Sequence, residues 1–213
     1  MYRLYYYPIT AAMAPHSVLE ETDAEFELVE LDVFGDVSNS YEAKHPLKRV
    51  PVLEDGKLTL FESAAIMMHL CDKHQEMNLA PPPGDPLRPL FYQWLVFLPA
   101  HVHAATKVFY YPHRFTTDEA CIPSVRKKGI AVIDEIFQTL DQTIGDEPWL
   151  LGDRFSACDH ALHMYCTWIE VETDGVKQLS AYPNLARFVD RIRERPAIQR
   201  MLKAHGIACT PVS

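Results

Sequence analysis

Residues 49–70 read RVPVLEDGKLTLFESAAIMMHL, and their order specifies a hairpin followed at once by a helix. VPVLE at 50–54 is a short β-prone run, Asp55-Gly56 is a strong turn signal, and residues 57–60 return as a second strand. Ser63 is a good N-cap for a helix over residues 63–74, and Glu62 sits where the helix dipole favours negative charge. That helix would place Ala65, Ile66, His69 and Leu70 on one face. Pro51 cannot donate to a ladder, so it belongs at a strand start or an edge. If Val50-Pro51 were cis, the Val50 amide and carbonyl would turn outward as a template for an extended peptide. An ordinary trans proline is the default, since only about 5–6% of such bonds are cis.

Working upstream, RLYYY at 3–7 is a strand that Pro8 ends, and residues 12–21 form a helix with Val18 and Leu19 facing the core. FELVELDV at 26–33 alternates apolar and acidic residues, which makes it a strand. It runs parallel to the first because a helix intervenes. Residues 35–45 are polar, with a short helix at 41–44. The order is βαβαββα. Downstream, LAPPPGDPL at 79–87 holds four prolines and a glycine and reads as a linker. Beyond it only helical patterns follow, at about 88–108, 124–144, 156–172, 185–193 and 197–205. The expected organisation is an α/β domain at 1–78, a linker at 79–87 and an all-helical bundle at 88–213. In GDRFSACDHA at 152–161, Ser156 and Asp159 have capping-box spacing, and Phe155 can staple onto His160 or Ala161.

Composition narrows the function classes. The 213 residues carry a net charge of −9, which disfavours a nucleic-acid partner, because phosphate recognition needs surplus Lys and Arg. No run approaches the roughly 20 apolar residues of a membrane span. MYRLYYYP is too polar for a secretory leader, so the expected location is cytoplasmic. Five cysteines without a CxxC pair imply reduced thiols rather than a disulfide framework. Cys158, His160, His163 and Cys166 fan around more than half a helix, unlike an i, i+4 zinc pair, so no metal is expected.

Taken in order, YYYP…PHSVLEE, RVPVLEDGKLTLFESAAIMMHL, the proline-rich linker and GDRFSACDHAL resemble the glutathione S-transferase family, especially its bacterial beta-type members. The resemblance spans nearly the whole chain. It implies a thioredoxin-like N-terminal domain, an all-helical C-terminal domain and a homodimer. It also implies a role in detoxification, with glutathione as co-substrate and a small electrophile as second substrate. On this resemblance Arg49, Val50 and Pro51 would meet the glutathione backbone, and Glu62 and Ser63 would hold its γ-glutamyl end.

The reactive end would be PITAA at 8–12, where beta-type members read PGACS. Their cysteine falls at Ala11, so cysteine chemistry is absent there, and Ile9 replaces a glycine. Thr10 is left to orient the sulfur together with the helix start, or else only caps the helix. Tyr6 is the other hydroxyl at this junction, with core packing as its competing role. His16 is expected to pack between domains. In AHVHAATKVFYYPHRF at 100–115, His101 and His103 cannot share a helical face, and His103 is the one expected in the cleft. Lys107, Phe109 and Tyr111 would line the electrophile pocket. The expected function is activation of the glutathione thiol for attack on a soft electrophile. Its alternatives are a non-catalytic glutathione-binding protein, or isomerase, peroxidase or thiol lyase chemistry on the same scaffold.

Overall fold

The computed structural model describes residues 1–35, 39–171 and 174–212. Its first half runs β1 (Tyr2–Tyr6), α1 (Met13–Leu19), β2 (Phe26–Glu30), α2 (Asn39–Glu42), β3 (Val52–Asp55), β4 (Leu58–Phe61) and α3 (Ser63–Lys73). The strands form one sheet in the order β2-β1-β3-β4. β2 pairs parallel to β1, whereas β3 pairs antiparallel to β1 and β4 antiparallel to β3. This is the thioredoxin-like arrangement that the βαβαββα pattern requires. In the hairpin Asp55 pairs with Leu58, so Gly56 takes the first turn position, with a φ of 61° that suits a residue lacking Cβ.

Two boundaries differ from the sequence pattern for stated reasons. β3 begins at Val52 rather than Val50 because Val50-Pro51 is a cis peptide outside the ladder. The apolar face of α3 is Ile66, Met67, Leu70 and Cys71, one residue on from the expected set. His69 instead turns outward to bond Asp55 at 2.9 Å. Val18 and Leu19 are fully buried, but so is all of α1, His16 and Ser17 included. The helix is enclosed on several sides, by α3 and by the later helices over Ala157–Val171 and Pro196–Ala204, so it has no solvent face to leave polar.

The second half is helical: α4 (Arg88–Phe97), a π-helical turn (Leu98–His103), α5 (Ala104–Tyr110), α6 (Ile122–Ile144), α7 (Ala157–Val171), α8 (Pro183–Arg193) and α9 (Pro196–Ala204). The pattern that predicts one helix over 88–108 thus contains a π turn, with Pro99 at its second residue. Residue 172, at the end of the helix expected over 156–172, lies outside the described residues. The capping box forms: the Ser156 amide donates to Asp159 at 2.8 Å, and the Cys158 amide donates to Ser156 Oγ at 3.2 Å. The ring of Phe155 packs on His160 with centroids 5.1 Å apart. The proline-rich connection is clamped from the helical side. Arg88 donates to the Pro81 carbonyl at 2.7 Å, and Arg154 donates to Asp85 at 2.9 Å. No described helix is long and apolar enough to cross a membrane.

Candidate functional site

Three segments of the α/β half converge at one edge. The first is the approach to β3, where Tyr41 donates its hydroxyl to the Arg49 carbonyl at 2.9 Å. This pins the chain just before the cis Val50-Pro51 bond, leaving the Arg49 side chain exposed and Val50 half-buried. The second is the start of α3. Glu62, not Ser63, occupies the N-cap position, with φ 72° and ψ 112°, and no side chain caps this end. Ser63 is the first helical residue. A non-glycine residue held at positive φ is uncommon and marks a backbone constrained by its surroundings. Glu62 is exposed and Ser63 half-buried beside it.

The third segment joins β1 to α1. Ile9 adopts φ 56°, the left-handed region that β-branched residues avoid. Thr10 donates its hydroxyl to the Tyr7 carbonyl at 2.7 Å, and the same oxygen receives the Ala12 amide at 3.4 Å. Its proton is therefore spent within its own turn. To donate to a sulfur, Thr10 must release Tyr7. Tyr6 does not reach this loop as a donor. It is buried, its hydroxyl donates to Glu30 at 3.4 Å, and its ring lies edge-on to His205 at 5.3 Å. The core role that competed for Tyr6 is the one its environment supplies.

The helical half faces these segments with the π turn and α5. His103 sits at the end of the turn, half-buried against Trp168 (5.3 Å) and Tyr165 (6.2 Å). Burial, then the positive charges of Lys107 and Arg49, pushes His103 down to about 4. It is a neutral imidazole at physiological pH. Lys107 is also lowered, first by burial and then by Arg49, while Glu62 pulls the other way. Tyr165 is raised by burial and, secondarily, by Glu62. Arg49 and Glu62 from one half thus share an electrostatic neighbourhood with His103, Lys107 and Tyr165 from the other. His101, two residues from His103, is exposed and stacks on Phe97 at 4.6 Å.

One residue expected in the pocket, Phe109, lies elsewhere. Phe109 is 3% exposed and packs toward α6, with the Arg126 guanidinium 4.4 Å from its ring centroid. Its place is the helix–helix contact, because α5 turns that face to α6. Tyr111 closes α5 at its C-cap and stacks under Arg114 at 4.3 Å. Sequence reading missed Tyr165 and Trp168, which sit in the apolar helix ALHMYCTW and look there like ordinary core. It also missed His205, whose isolated place after α9 carries no signal. The Trp168 indole nitrogen is buried and without a hydrogen-bond partner among the described residues.

His160 shows what the apparent metal cluster does instead. Its Nδ1 lies 2.8 Å from Ser17 Oγ, and its Nε2 lies 3.6 Å from Glu21, so it joins α7 to α1. Among the described residues no group of three or more His, Cys, Asp or Glu is arranged to hold a metal ion.

A family model for the N-terminal domain of glutathione S-transferases matches residues 2–72, and one for their C-terminal domain matches residues 102–205. Glutathione S-transferase GstA of Escherichia coli O157:H7 is 29% identical over 213 residues, covering 96% of this chain and 99% of its own. The bacterial beta class glutathione S-transferase of Sphingomonas chungbukensis superposes with a TM-score of 0.84 at 28% identity, over 97% of this chain and 100% of that one. A sphingomonad glutathione S-transferase complexed with glutathione matches with the same TM-score of 0.84, the same 28% identity and the same coverage of 97% and 100%.

Proposed function

Because this chain belongs to the glutathione S-transferase family, we propose that glutathione lies along the edge formed by Arg49, Val50, Pro51, Glu62 and Ser63, with its sulfur at the Ile9–Thr10 loop. The observation that carries this reading is the shared field of Arg49 and Glu62 with His103 and Lys107. A zwitterionic tripeptide needs charges of both signs along an open edge, and Arg49 and Glu62 supply them. The Val50 backbone offers an extended partner for the peptide's middle.

At this site the thiol must ionise. A free thiol has a pKa of about 8.5, and the thiolate, not the thiol, is the nucleophile. Thr10 stabilises the anion by exchanging its bond to the Tyr7 carbonyl for one to sulfur, and the start of α1 adds its dipole. The thiolate's electron pair then forms the new carbon–sulfur bond to a soft electrophile, the thiol proton having passed to solvent. At a substituted carbon the bond to the leaving group breaks and that group departs with its electron pair. At a conjugated double bond the π pair instead moves toward the activating group and takes up a proton from solvent. Neutral His103 and the Lys107 amine face that electrophile, with the buried Tyr165 and Trp168 rings packed behind His103. Lys107, with its lowered pKa, also offers a cation for charge developing on the acceptor. Detoxification in the cytoplasm and a homodimeric state complete the reading. The exposed apolar residues Leu90, Tyr92 and Val96 of α4 and Phe61 of β4 support the second of these.

The test is a comparison of Thr10→Ala and Thr10→Ser. Glutathione titrations should give affinities within a few-fold of wild type for both. In Thr10→Ala the pH–rate profile should move toward alkaline pH by about one unit, with turnover at neutral pH about tenfold lower. Thr10→Ser, which keeps the hydroxyl, should stay near wild type. An unchanged profile in Thr10→Ala would assign thiol activation to the backbone alone. That second reading has its own support, the commitment of the Thr10 proton to Tyr7. Glutathione binding without turnover over a broad electrophile panel would leave a non-catalytic binder.

A further inference from the structure

Behind the β1–α1 loop runs a buried chain of polar groups that the chemistry above does not use. The Ile9 amide donates to His205 Nδ1 at 3.1 Å. His205 Nε2 meets His16 Nδ1 at 3.1 Å, and His16 Nε2 meets Glu20 at 3.2 Å. Arg200 closes the chain on Glu20. His16 is 0% and His205 2% exposed.

The chain has one self-consistent direction. A backbone N–H can only donate, so His205 Nδ1 must accept, and its proton therefore sits on Nε2. That proton is offered to His16 Nδ1, which leaves the His16 proton on Nε2, facing the Glu20 carboxylate. Each imidazole is thus fixed in one tautomer by the group beyond it. Burial, then the neighbouring His16, pushes His205 down to about 3, so it stays a neutral acceptor throughout the physiological range. Tyr6 packs edge-on to His205 at 5.3 Å and Phe26 edge-on to His16 at 5.8 Å, which locks both rings.

What this chain holds is informative. Ile9 sits at φ 56°, a left-handed conformation that its branched side chain disfavours. The loop's own sequence therefore opposes its shape, and the bond to His205 ties it from 196 residues away. Thr10 is the next residue. We propose that His205 is a positioning residue for thiol activation: through the Ile9 amide it sets the loop that carries Thr10, and His16 and Glu20 hold the tautomer this requires. The inference rests on the reading that the glutathione sulfur is received at this loop.

The test uses three replacements of His205 in the full chain. His205→Phe keeps an aromatic ring and removes both nitrogens. His205→Asn keeps an acceptor close to the Nδ1 position, and His205→Gln carries its acceptor one carbon further out. Ile9 amide hydrogen exchange, glutathione affinity and the pH–rate profile are measured for each. In His205→Phe and His205→Gln, exchange at Ile9 should rise, glutathione affinity should hold within a few-fold, and turnover should fall by roughly tenfold to a hundredfold. The profile should move alkaline in both. His205→Asn should restore slow exchange and most of the turnover.

Equal turnover in the Asn and Gln variants would overturn the proposal. So would fast Ile9 exchange in His205→Phe with a wild-type pH–rate profile, since the tether would then be structural only. The reading beneath it fails differently. If the Thr10 variants leave thiol ionisation untouched while His205→Phe still frees the Ile9 amide, the tether is real and the sulfur is activated elsewhere.

Discussion

Single residues in this protein are decided by whether their polar atoms find partners. Thr10 was legible as a hydroxyl at the right place, but not the fact that Tyr7 already takes its proton at 2.7 Å. Glu62 and Ser63 could be read equally as a capping pair or as ligand-holding groups. With no side-chain cap formed at α3, both remain free to meet a ligand. His163 is the opposite case, fully buried with neither ring nitrogen hydrogen-bonded among the described residues. Burial pushes it down to about 3. A buried polar group without a partner costs about 1–3 kcal/mol. His163→Leu, close in volume and apolar, should therefore raise unfolding free energy by about 1 kcal/mol, read as a higher urea midpoint with unchanged slope. A lower midpoint would mean that the ring is satisfied by an internal water.

At the scale of elements, the important device is the π turn between α4 and α5. One helix was expected over 88–108, and the period alone could not show a turn that changes which side His103 and Lys107 present. α5 is seated on α6 by a close approach at Gly129, where a Cβ would lie 2.9 Å from the Phe109 nitrogen and 3.1 Å from the Val108 carbonyl carbon. Both obstacles are backbone, so neither can rotate away. Gly129→Ala should force α5 outward and cost about 1–3 kcal/mol, an overpacking penalty. Because α5 carries Lys107, the same variant should raise KM for the electrophile more than for glutathione. Equal effects on both, or none on stability, would show that α5 does not hold the electrophile side of the cleft.

Over the whole molecule, buried histidines make acid the weak flank. His160, His163 and His205 are all depressed, chiefly by burial, His163 and His205 to about 3 and His160 well below its ordinary value. The unfolded chain takes up these protons near pH 6.5, whereas the folded chain resists until much lower pH. Their contribution is therefore complete above about pH 6.5 and is lost as pH falls, at about 1.4 kcal/mol per pH unit for each proton. Asp159, raised to about 7 by burial, and Glu170, also raised by burial, work in the opposite sense, two carboxyl groups against these three histidines together with His45 and His103, which burial lowers as well. Stability measured by urea unfolding should thus decline from pH 7 to pH 5, and the decline should be shallower in His163→Leu. A flat profile over that range would mean that the histidines gain partners on protonation.

The sequence by itself determined the order and kind of elements, the thioredoxin-like half, the helical half and the family. These rest on local signals: the Asp55-Gly56 turn, the alternation of FELVELDV, the prolines at 81–86 and the Ser156–Asp159 box. It also singled out Arg49 to Pro51 with Glu62 and Ser63, the residues proposed above to meet glutathione, because a contiguous motif carries them. Only the tertiary structure decided what faces what across long separations. It placed Phe109 on α6, left Tyr6 in the core, and brought Trp168 and Tyr165 beside His103. It joined His205 to Ile9 as well. The physical reason is that a side chain's environment is set by packing between elements, which local periodicity does not encode. A histidine after the last helix and an isoleucine after the first strand become partners only when the two halves close on α1.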